Sequence, residues 1–262
     1  MSASLVLRED RGPIAILTLN RPEQRNALSR ALVTELRDRI DQVRVEERTR
    51  VLVLTGAGST FCAGMDLKEA ASVTQGDDAE QMTIAILQQF ADLLQCLHTV
   101  SKPTIAAVSG DALAGGAGLM AACDLVVASE HALIGYPEIK RGLVASVVLH
   151  DLSRQVGDRR ARELLLTGEP ISAEVAMEWG MVNLVSPRGG CLSQAVLLAQ
   201  DLLKSGPEAI ATTKRLLDET LGRPHDLRGA AAVSAAVRVS DEAREGIRAF
   251  VEKRAPSWAV SR

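Results

Sequence analysis

The 262-residue chain is 47% hydrophobic and 24% charged, the proportions of a folded globular protein, which excludes extensive disorder. Its net charge of −3 and its few aromatic residues (three Phe, two Trp and one Tyr) argue against a nucleic-acid-binding protein driven by phosphate neutralisation or base stacking. The length fits one large domain or two small ones, with a core that needs neither disulfides nor a structural metal.

Cysteine and histidine spacing gives no sign of a metal site. There are four of each, without CxxC, HxxxH or HExxH pairings: Cys62, Cys96, Cys123 and Cys191, and His98, His131, His150 and His225. The N-terminus lacks the apolar stretch of a signal peptide, and no apolar run approaches the ~18 residues of a membrane span. We therefore expect a cytoplasmic protein that binds no metal, no nucleic acid and no membrane.

Short apolar runs bounded by turn residues alternate with helical patterns through the first half of the chain. The runs at 14–19, 51–55, 104–108 and 125–128 are typical of buried strands. Ser29 is predicted to cap a helix whose apolar residues recur at spacings of three and four. Another helix is predicted over 80–97, and the glycine-rich segment 110–118 is expected to open one more.

Beyond about residue 158 the pattern becomes mainly helical. Helices are predicted over 159–166, 173–179, 191–204, 207–220 and about 227–254. Strands followed by helices favour an α/β core with a helical C-terminal part.

Several familiar catalytic motifs are absent. The segment after the strand at 51–55 begins like GxGxxG, but Phe61 occupies the third glycine position. The chain has neither GxxxxGK[ST] nor GxSxG. Phosphate chemistry and serine hydrolysis are therefore disfavoured.

Two glycine-containing turns each follow a predicted strand: FCAGMDL at 61–67 and ALAGGAG at 112–118. Such turns leave backbone N–H groups unpaired where a helix begins, and two that converged on one point would form an oxyanion hole. The same glycines would equally allow tight packing of strand against helix. The residues alone leave both interpretations open.

A set of short segments in a fixed order makes the chain resemble the crotonase, or enoyl-CoA hydratase/isomerase, superfamily over essentially its whole length. They are Asn20-Arg21-Pro22, Arg25-Asn26-Ala27-Leu28, Thr55-Gly56-Ala57-Gly58, the two glycine turns, Lys102-Pro103-Thr104, Ala122-Cys123-Asp124-Leu125, Pro137-Glu138, Leu166-Thr167-Gly168 and the closing 245–254. The resemblance implies a spiral of ββα units over residues 1–200. It also implies a C-terminal helical trimerisation region over 201–262.

The resemblance also implies an acyl-CoA site. The backbone N–H groups of Met65 and Gly115 would hold the thioester oxygen, and Glu138 would transfer protons. Hydratases of the family normally carry a second glutamate, and its position here is Gly118, which has no side chain. Ser146 or His150 could offer a replacement proton group, although His150 is equally compatible with an ordinary surface or structural role.

Residues implied to contact CoA lie after the first strand, in the first glycine turn and near the C-terminus: Arg25, Ala27, Ala63, Asp66, Leu67, Lys68 and Lys253. For Lys68 and Lys253, an ordinary solvated surface charge is an equally good interpretation. At Ser234, where some hydratases have an aromatic residue near the CoA, the match fails. The resemblance implies no separate cofactor, since coenzyme A is part of the substrate, and a homotrimer or a hexamer made of two trimers.

Three functions remain compatible with these residues. The first is hydration of a 2-enoyl-CoA to a 3-hydroxyacyl-CoA. The second is isomerisation of a 3-enoyl-CoA to a 2-enoyl-CoA, in which one carboxylate removes a proton from C2 and returns it at C4. The third is a weakly catalytic CoA-binding protein, which the retained Glu138 disfavours.

Overall fold

The computed structural model describes residues 4–73 and 79–220, together with 241–242, 245, 249, 252 and 254–258. Within these residues the strands are β1 (Val6–Arg11), β2 (Ile14–Leu19), β3 (Val51–Gly56), β4 (Thr60–Cys62), β5 (Thr104–Val108), β6 (Asp111–Leu113), β7 (Leu125–Ser129), β8 (Leu133–Gly135), β9 (Ile171–Ser172) and β10 (Leu184–Ser186).

The helices are α1 (Arg30–Val45), α2 (Leu67–Val73), α3 (Ala79–Thr99), α4 (Gly115–Ala121), α5 (Leu149–Thr167), α6 (Ala173–Glu178), α7 (Cys191–Leu202) and α8 (Pro207–Thr220). Short 3₁₀ helices lie at Pro22–Gln24, Pro137–Arg141 and Ser146–Val148. Ser29 caps α1 as predicted, because its side chain accepts a hydrogen bond from the Leu32 N–H at 3.3 Å.

Two sheets share the strands in alternation. A six-stranded sheet has the order β1-β2-β3-β5-β7-β10, and a four-stranded sheet has the order β4-β6-β8-β9. Successive strands β3 to β8 therefore pass from the large sheet to the small one and back, with helices following β4, β6 and β8. Three consecutive ββα units result, which is the repeat that the resemblance implies.

The large sheet is parallel from β2 to β10 and is covered on both faces, which explains its continuous apolar strands. In β2, Leu17 and Leu19 point into the main core, whereas Ile14 and Ile16 pack with α7 on the other face. Burial on both faces is what made these strands recognisable in the sequence.

The predicted strands at 14–19 and 104–108 are confirmed, and 51–55 and 125–128 each extend by one residue. The sequence missed β1 because its side chains are mostly polar and exposed, and it missed β4, β6 and β8 because each has three residues. The helix predicted over 159–166 is α5, which begins earlier and is interrupted at Gly157, where φ is +76°. That interruption explains the late predicted start.

The predicted C-terminal region at 201–262 contains α8, which has the predicted bounds. The helix predicted over about 227–254, together with Ser234 and Lys253, lies largely outside the described residues. The division at residue 200 and the trimer therefore stay predictions. Within the described part of the chain, no helix combines the length and the apolarity that crossing a membrane requires.

A buried amide anchors the segment after β2. The Asn26 side chain donates to the carbonyl oxygens of Ala57 at 2.9 Å and Thr60 at 2.7 Å, and accepts from the Arg21 N–H at 2.9 Å. Asn26 is fully buried. Its amide group therefore satisfies three backbone groups and holds residues 21–28 against the link between β3 and β4.

Replacing Asn26 by alanine should lower the free energy of unfolding by about 2–4 kcal/mol, because buried backbone groups lose their partners. Urea denaturation measures this value, and Gln200→Ala, which removes an exposed amide from α7, is the matched control. A loss within about 0.5 kcal/mol of the control would contradict the anchoring role.

Candidate active site

A cavity of about 990 Å³ lies where the first glycine turn, α3, the second glycine turn and the segment 137–148 meet. Every described residue that the resemblance assigned to the site lines it: Arg25, Ala27, Ala63, Met65, Asp66, Leu67, Lys68, Gly115 and Glu138. Lys253 lies outside the described residues. Tertiary folding thus brings together residues from four separate segments of the chain.

Backbone pairing determines where the Met65 N–H points. The Leu28 N–H donates to the Gly64 carbonyl at 2.8 Å, and the Asp66 N–H donates to the Leu28 carbonyl at 3.1 Å. These two bonds form a parallel bridge between Leu28 and Met65, in which the N–H of Met65 itself points to the opposite side. No described residue accepts a hydrogen bond from it.

The second glycine turn presents the N–H of Gly115. This residue begins α4, so its N–H has no acceptor in a preceding helical turn. The preceding Ala114 has φ +55° and ψ −127°, and its N–H donates to the Gly135 carbonyl at 2.8 Å. A non-glycine residue in this region is strained, and such strain is typical of functional sites.

Gly64 brings the two turns into contact. Its φ is +89°, and a Cβ atom placed on it would lie 2.7 Å from the Ala114 Cβ and 3.1 Å from the Gly115 nitrogen. Only glycine permits this approach. The glycines therefore allow tight packing, and this packing brings the N–H groups of Met65 and Gly115, which donate to no described backbone group, to the same cavity. That the two groups form an oxyanion hole stays a prediction.

Glu138 lies in the 3₁₀ helix Pro137–Arg141 and is half-buried at the cavity wall. Its Oε2 atom is buried without a hydrogen-bond partner among the described residues. Burial raises the pKa of Glu138 above its usual value of 4.5, and its own backbone N–H and Arg141 only partly oppose this shift. A carboxyl group with a raised pKa beside unpaired N–H donors can transfer protons.

Gly118 is closed off from the cavity by Val148. A Cβ atom on Gly118 would lie 2.1 Å from Val148 Cγ1 and 3.7 Å from the Phe90 ring. Gly118 is buried within α4 and does not line the cavity, whereas Val148 and Phe90 do. The position to which the resemblance assigns a second glutamate therefore has no room for a side chain while Val148 keeps this position.

The two candidate replacement groups have different positions. Ser146 lines the cavity, as does the whole segment 143–148, which forms one wall. His150 does not line it: its side chain is 82% exposed, and its Nδ1 lies 3.4 Å from Asp151 Oδ1. The surface interpretation of His150 is therefore the correct one.

Arg21 also lines the cavity, although the sequence alone indicated no role for it. Its guanidinium group donates to the Ala27 carbonyl at 2.5 Å and to Asp66 Oδ2 at 3.0 Å. The other oxygen of Asp66 accepts from the N–H groups of Lys68 and Glu69 at the start of α2. Burial would raise the pKa of Asp66, but these hydrogen bonds outweigh it and lower that pKa.

A comparison with known sequences identifies the family. The sequence profile of the Enoyl-CoA hydratase/isomerase family matches residues 9–261. The chain belongs to this family. Its members act on acyl-CoA thioesters, and the chain is accordingly an enzyme of the enoyl-CoA hydratase/isomerase type.

Known proteins of this family match the chain over almost its full length. A candidate enoyl-CoA hydratase of Thermus thermophilus is 40% identical over 257 residues, covering 97% of this chain and all of that protein. The enoyl-CoA hydratase EchA19 of Mycobacterium tuberculosis is 38% identical, covering 96% of this chain and 95% of its own. A crystal structure of an enoyl-CoA hydratase from Mycobacterium smegmatis superposes with a TM-score of 0.90 at 32% identity, covering 98% of this chain and 100% of that chain. The crotonase fold implied by the sequence is thus confirmed.

The contact between Gly118 and Val148 can be tested by a double-mutant cycle. Gly118→Ala should lower the free energy of unfolding by about 1–3 kcal/mol, because the new methyl group overlaps Val148. In the double variant Gly118→Ala/Val148→Ala the overlap is relieved. Its loss of unfolding free energy should therefore be smaller, by about 1–2 kcal/mol, than the sum of the losses in the two single variants. Urea denaturation of all four proteins measures the coupling, and strict additivity would contradict this packing.

Proposed function

We propose that the enzyme hydrates a 2-enoyl-CoA to a 3-hydroxyacyl-CoA, with Glu138 as the proton-transfer group. The observation that carries the proposal is the half-buried Glu138, with its unpartnered Oε2 and raised pKa, at the same cavity as the Met65 and Gly115 N–H groups. The names of the Thermus and Mycobacterium relatives support hydration as the reaction.

In this mechanism a single carboxylate handles both protons. Ionised Glu138 removes a proton from water while the oxygen of that water forms a bond to C3 of the substrate. The electron pair of the C2–C3 double bond moves toward the thioester carbonyl and forms an enolate. Glu138 then returns the proton to C2, and the enolate collapses to the 3-hydroxyacyl thioester. One carboxylate suffices because the proton taken in the first step is returned in the second.

The enolate oxygen is the place where negative charge develops. The N–H groups of Met65 and Gly115 would donate hydrogen bonds to it, and loss of one such donor typically costs about 3 kcal/mol of transition-state stabilisation. The bridge to Leu28 and the contact at Gly64 hold these donors before substrate arrives. Their rigidity is what makes them effective, since no reorganisation is needed during the reaction.

The CoA moiety would extend over residues 25–27 and 63–68 toward the open side of the cavity. Arg25 and Lys68 are exposed at the cavity wall and suit the CoA phosphates as charge partners. Asp66 would act mainly by capping α2 and pairing with Arg21, which keeps the backbone of Ala27 in place.

Isomerisation of a 3-enoyl-CoA is the second candidate function, and the closed space above Gly118 favours it. Moving a proton from C2 to C4 needs only one carboxylate and no bound water. The same N–H pair would stabilise the dienolate intermediate. The two functions differ in whether the product gains the mass of water.

Glu138→Gln should reduce turnover of trans-2-enoyl-CoA thioesters by about 10²–10⁴-fold, because the amide cannot accept the proton from water. Mass spectrometry of a panel of acyl chains detects the added water, and binding of a saturated acyl-CoA should stay close to wild type. Glu163→Gln, an exposed carboxylate on α5 outside the cavity, is the matched control.

Three results would contradict hydration by Glu138. Full activity in Glu138→Gln would remove Glu138 from the chemistry, and parallel loss of binding and turnover would make its role structural. No mass gain for any 2-enoyl-CoA, combined with conversion of 3-enoyl-CoA to a conjugated ultraviolet-absorbing product, would establish isomerisation instead.

The pH dependence of kcat/KM should show an acid limb above the usual glutamate range, because burial raises the pKa of Glu138 and the ionised form is the base. Arg141→Gln should move this limb to still higher pH, since the Arg141 charge lowers that pKa. Lys140→Gln is the control, because the Lys140 ammonium pairs with Glu169 at 2.5 Å. An acid limb that is the same in both variants would contradict the assignment.

The same shift has a consequence for stability. A group whose pKa is raised on folding stabilises the folded state below its unfolded pKa, and this contribution is lost as pH rises through the folded value. Ionised Glu138 therefore costs stability at neutral pH. Glu138→Gln should accordingly keep or raise the wild-type Tm, which separates loss of chemistry from loss of structure.

A further inference from the structure

Tyr136 and Glu138, two positions apart in the chain, each have a buried side-chain oxygen that forms no hydrogen bond with a described residue. These oxygens are the hydroxyl of Tyr136 and the Oε2 of Glu138. Tyr136 is completely buried between β8 and the 3₁₀ helix that carries Glu138, and it does not line the cavity. A buried hydroxyl with no partner is costly, so a partner is expected.

The charges that affect Tyr136 indicate which groups could accept a hydrogen bond from its hydroxyl. Burial raises the pKa of Tyr136, and the negative charges of Glu138 and Asp151 raise it further. The phenol therefore keeps its proton and acts as a donor, and Glu138 and Asp151 are the two carboxylates whose charge affects it.

Asp151, in the first turn of α5, already uses both of its oxygens. Its Oδ2 lies 3.0 Å from His98 Nε2 at the end of α3, and its Oδ1 lies 3.4 Å from His150 Nδ1. Burial would raise the pKa of Asp151, but the hydrogen bonds from these histidines and the charge of Arg154 outweigh it and lower that pKa. Among these groups, Glu138 is the one with a buried oxygen that still needs a donor.

We propose that Tyr136 is a positioning residue for the reaction, its hydroxyl donating a hydrogen bond to Oε2 of ionised Glu138. The inference rests on the proposed function of Glu138. The bond leaves Oε1 to exchange protons with water and substrate, and it satisfies both unpartnered atoms at once. Catalytic hydrogen bonds tighten in the substrate complex, so the bond between these two atoms is expected there.

Tyr136→Phe tests this directly, because it removes one oxygen atom and keeps the ring that fills the core. Loss of the donor destabilises the ionised carboxylate, so the acid limb of kcat/KM should move to higher pH by about one unit. We expect kcat to fall about tenfold and KM to change less than twofold. A role confined to packing would leave the pH profile in place.

A second measurement does not depend on turnover. Infrared difference spectroscopy follows the carboxyl stretch of protonated Glu138, which is assigned by its disappearance in Glu138→Gln. The midpoint of its pH titration should be higher in Tyr136→Phe than in wild type.

The possible outcomes separate the two claims. Activity retained in Glu138→Gln would overturn the proposed function, while the infrared titration would still report on the hydrogen bond. An inactive Glu138→Gln with unchanged pH profile and unchanged infrared midpoint in Tyr136→Phe would overturn the positioning role alone. A shift confined to the Asp151 carboxyl band, assigned with Asp151→Asn, would also overturn it, because the hydroxyl would then serve Asp151.

Discussion

The close approach of Gly64 to Ala114 and Gly115 is the constraint on which the site depends. A side chain at position 64 would overlap the second turn, so the two turns can meet only because residue 64 is glycine with a positive φ. Pairing of residues 63–66 with Arg25 and Leu28 fixes the orientation of the first turn, and strained Ala114 fixes that of the second. The two sheets supply the rigid frame, since each turn follows a strand of the small sheet.

The pKa of Glu138, the candidate acid–base group, depends more on burial than on neighbouring charges. Glu138 has a raised pKa because it is desolvated, and the cationic Arg141 only moderates the shift. At Gly118, the position to which the resemblance assigns a second glutamate, Val148 fills the space that a side chain would need. Of the two glutamate positions that the resemblance implies, only Glu138 carries a carboxylate, an arrangement that suits a reaction in which a single group takes up a proton and later returns it.

The strands that the sequence predicted accurately are the ones that are most completely buried. Strands β2 and β5 were predicted with their observed bounds because both of their faces are covered and their sequences are continuously apolar. Strand β1 lies at the sheet edge, and most of its residues are polar and exposed. Strands β4, β6 and β8 are too short for a periodic pattern to reveal them. These three short strands nevertheless carry the site, because the glycine turns and Glu138 follow them directly.

For the site itself, the sequence alone determined which residues to consider. The order of its motifs indicated Met65, Gly115, Glu138 and the segment at 63–68, and it exposed the missing glutamate at Gly118. Only the tertiary structure decided that the Met65 N–H points away from Leu28, that Val148 closes the space beside Gly118, and that Tyr136 is completely buried. The physical reason is that hydrogen-bond direction, steric overlap and desolvation arise between atoms that the fold brings together, and Gly118 and Val148 are far apart in the chain.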